Sequence, residues 1–169
     1  MLMICNKPII ERILNTARKI TRKVLVAVSP HTVRTKRWCL ENNVEIIETT
    51  GKDYVYDLQL LLNMFKRPIL TLPADTPFIT DKILLDFLNR TEKISADVIT
   101  LLVDKSNFPS ELRSPIKEPI GISLFKGAGY TWSSVVMSKF PELLDIDTLS
   151  ELQYARRICN EISWGVLPR

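Results

Sequence analysis

Apolar positions along this chain switch between two periods, and the switching is regular. From Pro8 to Ile20, residues Ile9, Ile10, Ile13, Leu14 and Ala17 recur at helical spacing behind a proline, which predicts an amphipathic helix. Val24-Leu25-Val26-Ala27-Val28 is instead a continuous run rich in β-branched residues, the composition of a strand covered on both faces. Ser29-Pro30 ends it. The alternation continues with a helix from Thr32 to Glu41, a short strand from Val44 to Ile47 and a turn at Thr49-Thr50-Gly51. A helix from Tyr54 to Phe65 then has Val55, Leu58, Leu61, Leu62 and Phe65 on its buried side. Pro68 to Leu72 reads as a strand, Thr80 to Leu88 as a helix and Asp97 to Val103 as a strand. Residues 104–118, rich in Ser, Pro, Lys and Glu, read as an exposed loop, followed by a strand from Ile120 to Phe125 that Gly121 interrupts. The last helix runs from Thr148 to Ile162, with Thr148 and Glu151 spaced as a capping box.

Strands that alternate with helices predict an α/β fold, a mostly parallel sheet with helices on both faces. The 169 residues suit a single domain spanning 1–169, with no repeat, low-complexity tract or linker. The hydrophobic fraction of 46% and the charged fraction of 25% are those of an ordinary globular chain. No apolar run is long enough to span a bilayer, and charge follows the first residues too soon for a signal peptide. Cys5, Cys39 and Cys159 show no pairing by spacing and no Cys-x-x-Cys, so the expectation is a reducing cytoplasm without a disulfide frame or zinc site. His31 is the only histidine, which excludes mechanisms that need two. Charge is uneven: residues 1–40 net +8, leaving −4 for the remainder. That basic half attracts a polyanion such as a triphosphate, or is simply a set of solvated helix faces. Basic residues without interleaved aromatics, and without a helix-turn-helix or RNA-binding signature, argue against nucleic acid.

Candidate chemistry gathers where predicted strands end. The run Pro68 to Leu72 stops at Pro73, and Asp75 follows just past the carboxyl end of that strand, where open α/β sheets bind ligands. A carboxylate there is placed to hold Mg²⁺ on a nucleotide phosphate, since hard cations take oxygen ligands. The other reading is that Asp75 caps the turn or the following helix. Ser29-Pro30-His31-Thr32, Thr49-Thr50-Gly51-Lys52-Asp53-Tyr54, Ala74-Asp75-Thr76 and the segment around Asp145 and Asp147 share that sheet edge in a doubly wound fold. Asp75 and Asp147 are then a pair able to face one ion, an arrangement suited to nucleotidyl transfer. Gly51 permits a positive φ and close approach to a ligand, and Lys52 beside it reaches a phosphate or a base edge; an ordinary turn is the alternative. Gly121 inside a strand signals a ligand's close approach or a bulge.

Ser29-Pro30-His31-Thr32-Val33-Arg34-Thr35-Lys36, Thr50-Gly51-Lys52-Asp53-Tyr54-Val55-Tyr56-Asp57-Leu58, Pro119-Ile120-Gly121-Ile122-Ser123 and Asp145-Ile146-Asp147-Thr148-Leu149-Ser150-Glu151-Leu152 occur in that order. Together they resemble the archaeal-type GTP:adenosylcobinamide-phosphate guanylyltransferases of cobalamin biosynthesis, which are similar in fold to molybdenum-cofactor guanylyltransferases and sugar-nucleotide pyrophosphorylases. The resemblance implies a three-layer, Rossmann-like, nucleotide-diphospho-sugar transferase-like fold. It implies Mg²⁺, GTP and adenosylcobinamide phosphate as cofactor and substrates, with pyrophosphate released. Alternatives it leaves open are a molybdopterin or sugar-phosphate nucleotidyltransferase, or a non-catalytic nucleotide-binding relative. By position, Asp75 matches the metal-binding aspartate, and Asp147 falls where the family has asparagine or aspartate near the metal. Ser29, Gly51, Lys52, Asp53, Ala74 and Gly121 fall in the segments around the nucleotide, and Ser123 replaces an asparagine. The family opens with a strand and a glycine-rich loop that cradles the triphosphate, whereas Met1 to Pro8 matches the segment after that loop. The first strand is therefore expected to be absent, with Met1 to Cys5 a candidate for its place and the exposed edge favouring a homodimer.

Overall fold

The computed structural model describes residues 1–163. It opens with a hairpin, β1 (Met3–Ile4) antiparallel to β2 (Lys7–Pro8), turned by Cys5 and Asn6 at φ 50° and 60°. Positive φ at both central residues gives a two-residue turn the twist that its strands need. Helix α1 (Ile9–Ile20) follows directly and joins two cores. Its Ile9 and Ile13 enter the larger one, while Ile10 and Leu14, one step round the helix, enter a smaller one with Val26, Val28, Cys39 and Val44. That smaller core lies under β3 (Val26–Val28), α2 (Val33–Glu41) and β4 (Ile46–Glu48). Strands β3 and β4 pair in parallel, Val26 opposite Ile46 and Val28 opposite Glu48. Helix α3 (Tyr54–Met64) comes next.

The larger core is built on a four-stranded sheet of β5 (Ile69–Thr71), β6 (Val98–Val103), β7 (Glu118–Phe125) and β8 (Trp132–Met137), in the order β5-β7-β6-β8. Helices α4 (Asp81–Thr91) and α5 (Leu149–Ser163) bury Leu84, Phe87, Ala155 and Ile158 in that core. Strands β5, β6 and β8 run the same way, and β7 runs against both of its neighbours. The expected mostly parallel α/β layering therefore holds, with β7 as the exception. Strand β7 follows β6 through two short 3-10 turns, Lys105–Asn107 and Ser110–Leu112, and no crossover helix. Antiparallel neighbours need no such helix.

The structure departs from the sequence reading at several points. Residues 104–118 are not a wholly exposed loop: Lys105, Phe108 and Leu112 are buried, because Phe108 packs edge-on against Phe140, which packs in turn on Tyr154. Strand β8 carried no sequence signal, since only Val135 and Met137 of its six residues are buried. Asp97, at the foot of β6, fixes its approach by accepting hydrogen bonds from the Gly129 and Thr131 N–H groups. The cysteines are also not all free: Cys5 and Cys159 form a disulfide across 154 residues, leaving Cys39 as the buried free thiol. The hairpin that carries Cys5 packs on α5, a proximity that linear spacing cannot reveal.

Among the described residues, β3 is paired only with β4, and β5 only with β7. A cavity of about 1290 Å³ is bordered by Val26 of β3, Ile69 and Leu70 of β5, Leu14 and Ala17 of α1 and Leu61 of α3. Met1 to Cys5 does not fill it as a strand, because Met3 and Ile4 pair with β2 instead. The expected buried side of α3 is accordingly only half-buried at Leu58, Leu61 and Leu62, and Val55 is exposed.

Candidate active site

The cavity reaches the carboxyl end of β5. There Leu72 and Pro73 end the strand, and Thr76, Pro77 and Phe78 are buried beneath the turn. Between them Asp75 is held by its backbone: its carbonyl accepts the Ile146 N–H at 3.1 Å, tying the turn to the segment before α5. The Asp75 side chain is not the cap of α4. Thr80 is, its hydroxyl accepting the Ile83 N–H. Asp75 Oδ1 is buried and has no hydrogen-bond partner. Burial first, then the neighbouring charges of Asp147 and Asp145, push the Asp75 carboxyl from its ordinary 3.8 up to about 6. A buried oxygen without a partner, in the field of two further carboxylates, is a costly arrangement that a bound cation would relieve.

Asp145 and Asp147 come from the segment leading into α5. Asp145 is 6% exposed, with Lys105 Nζ 3.2 Å from its Oδ1, and burial pushes its carboxyl up against the opposing pull of that lysine. Asp147 is exposed on the cavity wall, and its N–H donates to Glu151 Oε2 at 2.9 Å. The expected capping box forms, with Thr148 Oγ1 accepting the Glu151 N–H. Among the described residues no three His, Cys, Asp or Glu side chains are grouped as a complete metal cage. Two carboxylates with open positions still suit a Mg²⁺-type ion, which usually keeps waters and takes substrate phosphate oxygens as its remaining ligands. Asp75 and Asp147, both on the cavity wall, offer oxygen donors of the kind such an ion takes.

The other candidate residues divide. Ser29, Ala74 and Gly121 line the cavity together with Asp75 and Asp147. Gly51, Lys52 and Asp53 are not part of its wall. Gly51 (φ 68°) has no room for a Cβ, which would meet His31 and Ser29 at 3.0 and 3.1 Å, so the loops after β3 and β4 interlock there. The Gly51 N–H donates to Asp57 Oδ2, the same carboxylate that accepts the Thr50 N–H and hydroxyl. The Thr50 hydroxyl and these N–H groups hold the Asp57 carboxyl below its usual range. Asp53 caps α3, accepting the Tyr56 N–H, and Lys52 Nζ lies 5.8 Å from the centre of the Tyr56 ring. Gly121 (φ 80°) takes the bulge that was one of its two sequence readings. It sits where the β6–β7 register shifts, and a Cβ there would lie 3.1 Å from Pro73, two residues before Asp75. Asp57 and Lys105 went unassigned in the sequence, and Glu151 was marked there only as part of the capping box. Asp57 shows there only as a polar position on an apolar helix, and Lys105 only as one charge in a loop.

Comparison with known proteins adds the family. A sequence model of the MobA-like NTP transferase domain matches residues 1–152. The adenosylcobinamide-phosphate guanylyltransferase of Methanocaldococcus jannaschii is 23% identical over 121 residues, covering 65% of this chain and 62% of that relative. Among solved structures, a CMP:2-keto-3-deoxy-manno-octonic acid synthetase complexed with CTP superposes with a TM-score of 0.68 at 15% identity, over 95% of this chain and 91% of its own. A manganese complex of Rv0371c from Mycobacterium tuberculosis H37Rv gives 0.63 at 9% identity, over 93% and 90%.

Proposed function

This chain belongs to the MobA-like NTP transferase domain family, and on that premise we propose that it transfers GMP from GTP to adenosylcobinamide phosphate and releases pyrophosphate. The observation that carries the proposal is Asp75. Its buried, unpartnered oxygen lies at the end of β5, on the cavity wall that also carries Asp147. The manganese complex of one structural neighbour and the CTP complex of another support a divalent ion and a nucleotide. The guanylyltransferase relative supports this acceptor and base.

In this reading Asp75 and Asp147 would hold Mg²⁺, and the ion would supply charge neutralisation for the reacting phosphate and the pyrophosphate leaving group. An oxygen of the acceptor's own phosphate attacks the α-phosphorus of GTP. The new P–O bond forms as the bond to the β-phosphate bridge breaks, so the chain need supply neither a nucleophile nor a base. The protein's work is positioning and exclusion of water. Ser29, Ala74 and Gly121 shape the nucleotide pocket. Gly51, braced by Asp57, stiffens the neighbouring loop.

The test is pyrophosphate release with GTP, Mg²⁺ and each acceptor in turn, on this chain and on one extended at its N-terminus by a glycine-rich segment. Release that depends on adenosylcobinamide phosphate is expected. Release only with molybdopterin or a sugar phosphate rejects the acceptor. Nucleotide binding without release from either chain, with any acceptor, rejects catalysis in favour of a binding role.

A further inference from the structure

Lys105 sits in the 3-10 turn after β6, and its side chain is only 6% exposed. Its Nζ lies 2.8 Å from Glu118 Oε2 at the start of β7, 3.2 Å from Asp145 Oδ1 and 4.0 Å from Glu151 Oε1 in the first turn of α5. A buried ammonium is tolerable only with such partners. Among the described residues no other lysine or arginine is ion-paired with Asp145 or Glu151.

Glu151 extends the reach of that cation. Its Oε2 accepts the Asp147 N–H at 2.9 Å, the Thr148 N–H at 2.7 Å and the Thr148 hydroxyl at 2.9 Å. Lys105 therefore grips both ends of the stretch 145–148: Asp145 directly, and Asp147 with Thr148 through Glu151. Between them, the Ile146 N–H is bonded to the Asp75 carbonyl. The exposed Asp147 has little packing of its own to fix its direction.

We infer that Lys105 is a positioning residue of the acidic site, holding the 145–148 segment so that Asp147 faces Asp75. This rests on the reading of Asp75 and Asp147 as ligands of a divalent ion. It makes a prediction whose sign separates positioning from a simple field effect. A lysine this close to carboxylates repels a second cation, so removing its charge alone would tighten divalent-ion binding. If Lys105 instead holds the ligands in place, removing it loosens them and weakens binding. Outer partners of metal ligands carry about 10–100-fold of affinity.

The experiment is a titration with Mn²⁺ alone, following the free ion by its paramagnetic resonance signal, on the full chain and on Lys105→Met and Lys105→Arg. Circular dichroism of each confirms the fold. The expected result is at least about tenfold weaker Mn²⁺ binding in Lys105→Met, with Lys105→Arg restored to within about threefold. Unchanged or tighter binding in Lys105→Met overturns the proposal. If that variant does not fold, Lys105→Gln removes the same charge and is judged by the same sign. Absence of Mn²⁺ binding by the unmodified chain overturns the ligand assignment itself, which is a separate failure from normal binding that Lys105 does not influence.

Discussion

Replacing Asp75 by alanine is expected to cut metal-dependent pyrophosphate release at least about a thousandfold, roughly 4 kcal/mol of barrier, while the chain stays folded. The two parts of this expectation have separate causes. On the proposed reading, the buried and unpartnered oxygen of Asp75 helps to hold the ion, and alanine removes it. No hydrogen bond of the fold rests on that oxygen. Thr80 caps α4, and the bond from the Ile146 N–H goes to the Asp75 backbone, which alanine keeps.

The same variant has a signature in stability against pH. Asp75 is raised by burial, Asp147 and Asp145 from 3.8 to about 6 in the folded chain. Between those values the folded state binds the proton that the unfolded state releases, so stability falls as pH rises through this window. Asp75→Ala removes that component. Urea unfolding of the metal-free protein at several values from pH 4 to pH 8 should show a flatter profile for the variant than for the parent. A variant that unfolds would make Asp75 a structural residue, and one that keeps its activity would remove it from the metal site.

Breaking the Cys5–Cys159 disulfide is expected to cost about 3–5 kcal/mol of stability, the upper part of the usual range. The bond closes a loop spanning 154 residues, and in the chain-entropy view long loops restrict the unfolded ensemble most. It also clamps two terminal elements whose buried groups belong to the larger core, Ile4 of the hairpin and Ala155 and Ile158 of α5. Urea unfolding of Cys5→Ser, and of the parent chain under reductant, should give the same lowered midpoint. A change below about 1 kcal/mol in both would mean that the two elements are held by packing alone. Because α5 begins at the segment carrying Asp145 and Asp147, its loosening should also weaken divalent-ion binding.

Most of the elements were legible because their apolar residues follow one period each. Helix α1 could be read from Ile9, Ile10, Ile13, Leu14 and Ala17, and all five are buried. The strands β3, β5 and β6 were legible as short apolar runs, and the capping box of Thr148 and Glu151 was found as written in the sequence. What stayed hidden depends on neighbours distant in the chain. Strand β8 presents Trp132, Ser133 and Ser134 first, a polar start that is a strand only because β6 lies beside it. Lys105 reads as a solvated charge until Glu118, Asp145 and Glu151 close around it. The apolar side of α3 was expected to be buried, yet Leu58, Leu61 and Leu62 stay half-buried because they face a cavity, and Val55 is exposed. In the site, the placement of Asp75 at a strand end was legible from Pro73 and Pro77. The withdrawal of Lys52 and Asp53 from the cavity wall was not, since Asp53 is taken by the cap of α3 and Lys52 lies beside Tyr56.

The most direct test of the account is a crystal structure of the protein soaked in Mn²⁺, located by its anomalous scattering. The account predicts a peak within coordination distance of both the Asp75 and the Asp147 carboxylates, lost in Asp75→Ala. A peak elsewhere, or carboxylates turned away from each other with no ion between them, would contradict it.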